Sequence, residues 1–256
     1  MRALFACIKK EFTAQLRTGK LLTLGLVFAL LGVMNPATAK LTPWLLEALS
    51  ESMSESGMTI TVAPVTAMDS WVQFFKNIPL ALIAFVLLES GIFTGEYRSG
   101  TLMLSLTKGL RRYKVVLSKT VALILLWSSG YWLCYGITYV YNAYFWDNSV
   151  AQSLGFAATA WWVFGLFVII LSVLFSVLSG GSSGVMLGTG GVVLLSYLLA
   201  IIPKLNRYLP TRLADGNSLI YGLEIPGSYL PALLVVSALS FACLAAAILL
   251  FNKKQL

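Results

Sequence analysis

The chain has 256 residues, of which 58% are hydrophobic and 11% charged, with a formal net charge of +8 and a mean hydropathy of +0.84. A soluble globular domain carries about 45 to 50% apolar and about 25% charged residues, so this composition excludes one and describes an integral membrane protein. The length suffices for about six helices of roughly 20 residues each, and the positive charge, set mostly beside apolar runs, points to a lipid surface rather than to nucleic acid.

In chain order, Leu4, Phe5, Ile8, Phe12 and Leu16 recur every three or four residues within positions 1–20, while Lys9, Lys10, Arg17 and Lys20 fill the other face. That pattern predicts an interfacial amphipathic helix. Ala37-Thr38-Ala39 imitates a signal-peptidase site, but the patterned twenty residues ahead of the apolar run are unlike an n-region, so the segment is read as retained. Apolar runs long enough to span follow near 21–39, 75–94, 120–142, 154–178, 185–203 and 229–251. The whole chain therefore reads as one all-α transmembrane domain, residues 1–256, with six transmembrane helices.

Between spans two and three lies a basic island at 95–119, holding Arg98, Lys108, Arg111, Arg112, Lys114 and Lys119 against the single acid Glu96. Placing it on the cytoplasmic side puts thirteen Lys and Arg inside and five outside, which is the bias that sets orientation. Both termini then fall in the cytoplasm, and the cell membrane is the expected location. Of the connections, LTPWLLEALSESM has helical spacing and predicts a short helix at the outer surface, whereas 204–228, with Pro210 and Pro226, predicts an irregular loop dipping back toward the membrane.

Cys7, Cys134 and Cys243 are scattered without paired spacing and read as small buried hydrophobes. The absence of histidine removes the commonest metal ligand and the usual general base, so neither a metal site nor a catalytic residue is expected. Glu89, near the inner end of span two, and Glu96 beyond it are seven residues apart and project from nearly one face. They are expected to pair with Lys9 or Lys10 and so tie the N-terminal helix to the island; solvated acids near the headgroups are the plainer alternative. Trp127, Tyr131, Tyr135 and Tyr139 form a stripe at a spacing of four, readable as a translocation surface, as aromatic packing or as an interfacial belt. Ser172, Ser176, Gly180, Gly184 and Gly188 repeat small residues every four positions, a pattern that lets the two halves of a tight hairpin approach closely.

The residues around the island carry a resemblance. Glu89, Gly91, Glu96, then Ser99-Gly100-Thr101-Leu102, Leu104 and Leu106, then Leu110-Arg111-Arg112 and Lys119, following an amphipathic helix in a six-span plan, resemble the permease subunit of type-2 ATP-binding-cassette (ABC) exporters. The phrase Thr107-Lys108-Gly109-Leu110-Arg111 stands where that family often has a proline before the arginine. Independently, Gly100 permits a turn, and Leu102, Met103 and Leu106 give the following stretch an apolar side suited to a partner protein; resting on lipid headgroups is the alternative.

The resemblance implies that Gly100, Thr101, Leu102, Met103, Leu104, Leu106, Arg111 and Arg112 form the coupling helix, which docks on a cytoplasmic ATPase. It also implies a homodimer with two ATPase copies, ATP and Mg bound on the ATPase and no cofactor on this chain, and outward transport of an amphipathic or hydrophobic substrate such as a peptide toxin, an antimicrobial peptide or a drug. No GxxxxGK[ST] loop occurs in the sequence, so hydrolysis is expected elsewhere. A scaffold or immunity protein without transport shares this topology, and an intramembrane enzyme is a further alternative, with Glu89 as the one plausible buried acid.

Overall fold

The computed structural model describes residues 2–53, 64–98, 100–101, 107 and 111–254. Helix α1 (Arg2–Arg17) leads into α2 (Lys20–Met53), followed by α3 (Ala67–Glu89) and α4 (Gly91–Arg98). After the island come α5 (Arg112–Phe145), α6 (Leu154–Leu178) and α7 (Ser182–Leu199). The short helices α8 (Pro203–Asn206) and α9 (Gly216–Ile220) precede α10 (Leu230–Lys253). Among the described residues six helices are long and apolar enough to cross a membrane, α3 and α4 counting together as Ala67–Tyr97.

Three features differ from expectation, each for a physical reason. The first span does not stop near residue 39: α2 runs 34 residues through Pro36 and Pro43, so the separate surface helix is a continuation of the span. Proline at 36 has no N–H for the carbonyl of Gly32, four residues back. The Thr138 hydroxyl of α5 donates to that carbonyl instead, at 3.1 Å, and the freed group is satisfied by a neighbouring span. Asn35 Nδ2 in turn donates to Thr138 Oγ1 at 3.0 Å, and Asn77 Nδ2 of α3 donates to Asn35 Oδ1 at 2.9 Å. Gly32 allows this crossing, because a Cβ there would stand 3.0 Å from the Cys134 carbonyl.

Secondly, the island is shorter than its charge suggests. Arg112, Lys114 and Lys119 already belong to α5, and the chain leaves α4 through Gly100, whose φ of +68° suits a residue without a Cβ. Thirdly, 204–228 is not wholly irregular. It forms short helical turns whose Leu213, Leu219, Ile220 and Tyr229 are buried against the bundle, with Trp161 Nε1 donating to the Ala214 carbonyl at 2.7 Å and the Tyr229 hydroxyl to the Asp215 carbonyl at 3.0 Å.

The core runs up the middle of α2, α3, α5 and α6. Trp127 meets Phe28 and Phe85 edge-on at 5.7 Å each, and it fits only because residue 165 is glycine: a Cβ there would lie 2.2 Å from the indole ring. The small residues of α6 and α7 act as a hairpin. The chain reverses between Leu178 and Ser182, Ser172 and Ser176 are buried, and Gly188 faces Phe175.

Candidate functional site

The most heavily charged place in the molecule is the end of the bundle where α1, α4 and α5 meet. Helix α1 presents Glu11 and Gln15, one turn apart, to the interior rather than to water. Opposite them Lys119, two turns into α5, is 1% exposed. Its ammonium reaches Glu11 Oε2 and Glu96 Oε2, each at 3.1 Å, and donates to the Ile92 carbonyl at 3.0 Å. Three helices from distant parts of the sequence therefore close on one cation. A lysine is tolerated at such depth only when paired and hydrogen-bonded, and here two carboxylates and a carbonyl occupy its three donors.

Lys10 completes the arrangement from the rim, donating to Glu96 Oε1 at 3.0 Å. Burial works against its charge, but the hydrogen bond and charge of Glu96, with Glu11 adding to them, outweigh burial and raise its pKa above the usual lysine range. A second cluster sits one turn along. Glu89 Oε2 accepts from Gln15 Nε2 at 2.6 Å and lies 3.7 Å from the Lys20 ammonium, which also donates to the Leu88 carbonyl at 2.7 Å. The C-terminal end of α10 joins the same end of the bundle, with the Arg112 guanidinium donating to the carbonyls of Phe251, Asn252 and Lys254. Lys254 donates to the Val177 carbonyl and stands over the Tyr97 ring at 4.4 Å; partial burial lowers its pKa.

Of the residues singled out from sequence, Glu96 and Lys10 are brought together. Glu89 is not joined to Lys9 or Lys10: it pairs with Lys20 and Gln15, and Lys9 forms no ion pair among the described residues. The physical reason is helical phase, since Lys9 points away from the bundle while Lys20, at the start of α2, is already level with the end of α3. Gly100 and Thr101 are exposed at the turn after α4, Arg111 is exposed ahead of α5, and Arg112 reaches α10. Leu102, Met103, Leu104 and Leu106 lie outside the described residues.

The sequence reading missed Glu11, Gln15 and Lys119. A signal was available: Glu11 is the sole acid of α1, and an acid with a glutamine one turn later on a basic helix has reason to face a cation. Lys119 ends the basic island, and the apolar stretch begins just beyond it, which is the signal that it enters the span.

Residues 5–207 match the family model described as ABC-2 family transporter protein. That is most of the chain, and the match includes α1, the charged joint and five of the spans. The chain belongs to the ABC-2 transporter family. No curated protein matches it. As an ABC-2 permease it is a multi-pass membrane subunit of an ABC transporter, non-catalytic by family, and the family implies a partner ATPase subunit and a lipid bilayer.

Within this permease the aromatic stripe divides. Trp127 and Tyr131 are buried, with Trp127 Nε1 donating to the Trp162 carbonyl at 3.3 Å and the Tyr131 hydroxyl to the Ala158 carbonyl at 2.7 Å. Both are packed and satisfied, and neither faces an open path in this conformation. Tyr135 is half-buried beside Trp71, and Tyr139 is exposed, stacking on Tyr135 at 6.1 Å. This outer half of the stripe has the amphipathic exposure of an interfacial belt.

Proposed function

We propose that this permease is the membrane half of an exporter in the cell membrane, with both termini and the charged joint on the cytoplasmic side. A second identical copy completes the pathway, and one ATPase docks beneath each copy, binding ATP and Mg and carrying out hydrolysis. The docking element is the segment Gly100 to Leu106 with Arg111 and Arg112, and the cargo is an amphipathic or hydrophobic molecule such as a peptide toxin, an antimicrobial peptide or a drug.

The observation that carries this reading is Lys119 held between Glu11 and Glu96. The docking segment leaves α4 just after Glu96 and enters α5 two turns before Lys119, so the helices at both of its ends are fastened to each other and to α1. A push on the segment is then delivered to α1, the second span and the third span together rather than absorbed by a slack loop. Interfaces of this kind have discrete arrangements rather than continuous ones, and this joint gives nucleotide-driven closure something rigid to act on.

The test is nucleotide hydrolysis in complexes purified through this chain from its host, wild type against Leu102→Asp with Leu106→Asp. Hydrolysis that co-purifies with wild type and disappears with the double variant supports docking through the segment. ATP-dependent uptake of a labelled hydrophobic peptide by inside-out vesicles reads direction. A chain recovered without any hydrolysing partner overturns the reading.

A further inference from the structure

Helix α1 turns its single acid inward and Lys9 and Arg17 outward. Glu11 and Gln15 are committed to the joint, while Phe5, Lys9, Thr13 and Arg17 follow one another at four-residue intervals on the opposite side, all exposed. Side chains at that spacing form one ladder along a helix. Between its rungs is an open pocket of about 430 Å³ lined by Ala6, Lys9, Lys10, Thr13, Ala14 and Arg17. Among the described residues Lys9 and Arg17 enter no ion pair, so two cations border a cavity floored by small side chains with no acid to answer them. Beside this cationic strip Phe5 is 78% and Leu16 62% exposed.

We infer that this face of α1 binds the phosphate headgroup of an anionic lipid. Lys9 and Arg17 contact the phosphate, and Phe5 and Leu16 seat among the acyl chains. Three observations select a lipid as the occupant. The pocket carries uncompensated positive charge, and headgroup phosphate is its complement. Arg17 ends α1 and the first span begins at Lys20, which sets this end of the pocket at headgroup level. Large apolar side chains next to basic ones on a single helical face are what the boundary between headgroups and acyl chains accommodates. A soluble anion uses only the first of these features. The joint and the lipid site lie on opposite faces of one helix. The inference stands whether or not the permease exports.

The experiment uses the full chain in phosphatidylcholine nanodiscs doped with a photoreactive phosphatidylglycerol, and maps the labelled peptides by mass spectrometry. Labelling within residues 2–17 is expected. It should fall about ten-fold or more in Lys9→Gln with Arg17→Gln, since two basic groups beside an anionic surface weigh that much in affinity. Equal labelling by a photoreactive phosphatidylcholine, or labelling of 2–17 unchanged in the double variant, overturns the site. So does a requirement for added ATPase, which would make the face a protein contact, and so does full competition by inorganic phosphate, which would make the ligand a free anion. If the double variant fails to fold, the wild-type protein decides. High salt must then weaken labelling of 2–17 by screening exposed charge, and salt-independent labelling counts against the inference.

Discussion

Two ends of this permease each hold an acid–base pair, and they spend the same chemistry differently. At the joint, Lys119 is 1% exposed between two carboxylates from two other helices. At the opposite end, Arg212 meets Glu224 at 2.5 Å with side chains 16% and 31% exposed, and Ser228 also donates to Glu224. The outer pair joins two turns of one connection and can exchange its partners for water. The inner cation cannot, so every member of its group depends on the others. Burial, not the number of ion pairs, separates a joint that ties three helices together from a fastening that trims a loop.

The largest effect is expected from removing the buried cation. Lys119→Met removes the close cation from Glu11, which is buried, and leaves Glu96 with Lys10 at the rim; breaking a buried pair by deleting one partner costs about 3–5 kcal/mol. Thermal unfolding in detergent should show the loss, and adding Glu11→Gln with Glu96→Gln should recover most of it, because well-packed neutral groups replace the charges. Wild-type unfolding by Lys119→Met alone would erase the distinction between the two ends.

The middle of the bundle, where neither kind of charge is present, supplies the next two tests. Gly165→Val drives two methyl groups into the space of the Trp127 indole, and overpacking a filled core costs about 1–3 kcal/mol. The same unfolding measurement reads it, and loss of the shift in Gly165→Val with Trp127→Leu would assign it to that contact. Thr138→Val keeps the shape but removes the donor to the Gly32 carbonyl and the acceptor for Asn35. Hydrogen bonds between spans are modest, so about 1 kcal/mol is expected, at most about a third of the effect at the joint. A cost equal to that of Lys119→Met would mean that neutral bonds, not the joint, dominate.

Much of this architecture is legible in the sequence, and what is not legible shares one cause. Composition and apolar run length give the all-α, six-span plan, since a membrane demands long helices that satisfy their own backbone. The pairing of Glu96 with Lys10 is accessible from charge and topology. Periodicity marks the apolar face of α1, where Phe5 and Leu16 are exposed, but not the inward face that Glu11 and Gln15 occupy. A helix that contacts both lipid and a buried cation has two interiors, and hydropathy registers only the lipid. Lys119 is hidden for the same reason: its partners lie 108 and 23 positions earlier in the chain, and no local pattern marks a lysine that will be enclosed. The bond that satisfies the carbonyl freed by Pro36 is likewise invisible locally, because its donor, Thr138, comes from another span.

The smallest effect should come from the outer pair, and its pH dependence distinguishes it from the joint. The hydrogen bonds from Arg212 and then Ser228 hold the Glu224 pKa below its ordinary value of 4.5. A carboxylate whose folded pKa is depressed contributes stability that is complete above the unfolded pKa and is lost as pH falls through the folded one. Wild-type protein should therefore shed this contribution only below about pH 4.5, and Glu224→Gln should lack that acid limb. At neutral pH the variant should lose less than about 1 kcal/mol, as befits a pair that water reaches. Unfolding midpoints of the two proteins, followed from neutral to acid pH, should therefore converge as Glu224 takes up its proton. If they stay apart by a constant interval, the Glu224 side chain acts through packing rather than charge, and the contrast with Lys119 becomes one of chemistry as well as burial.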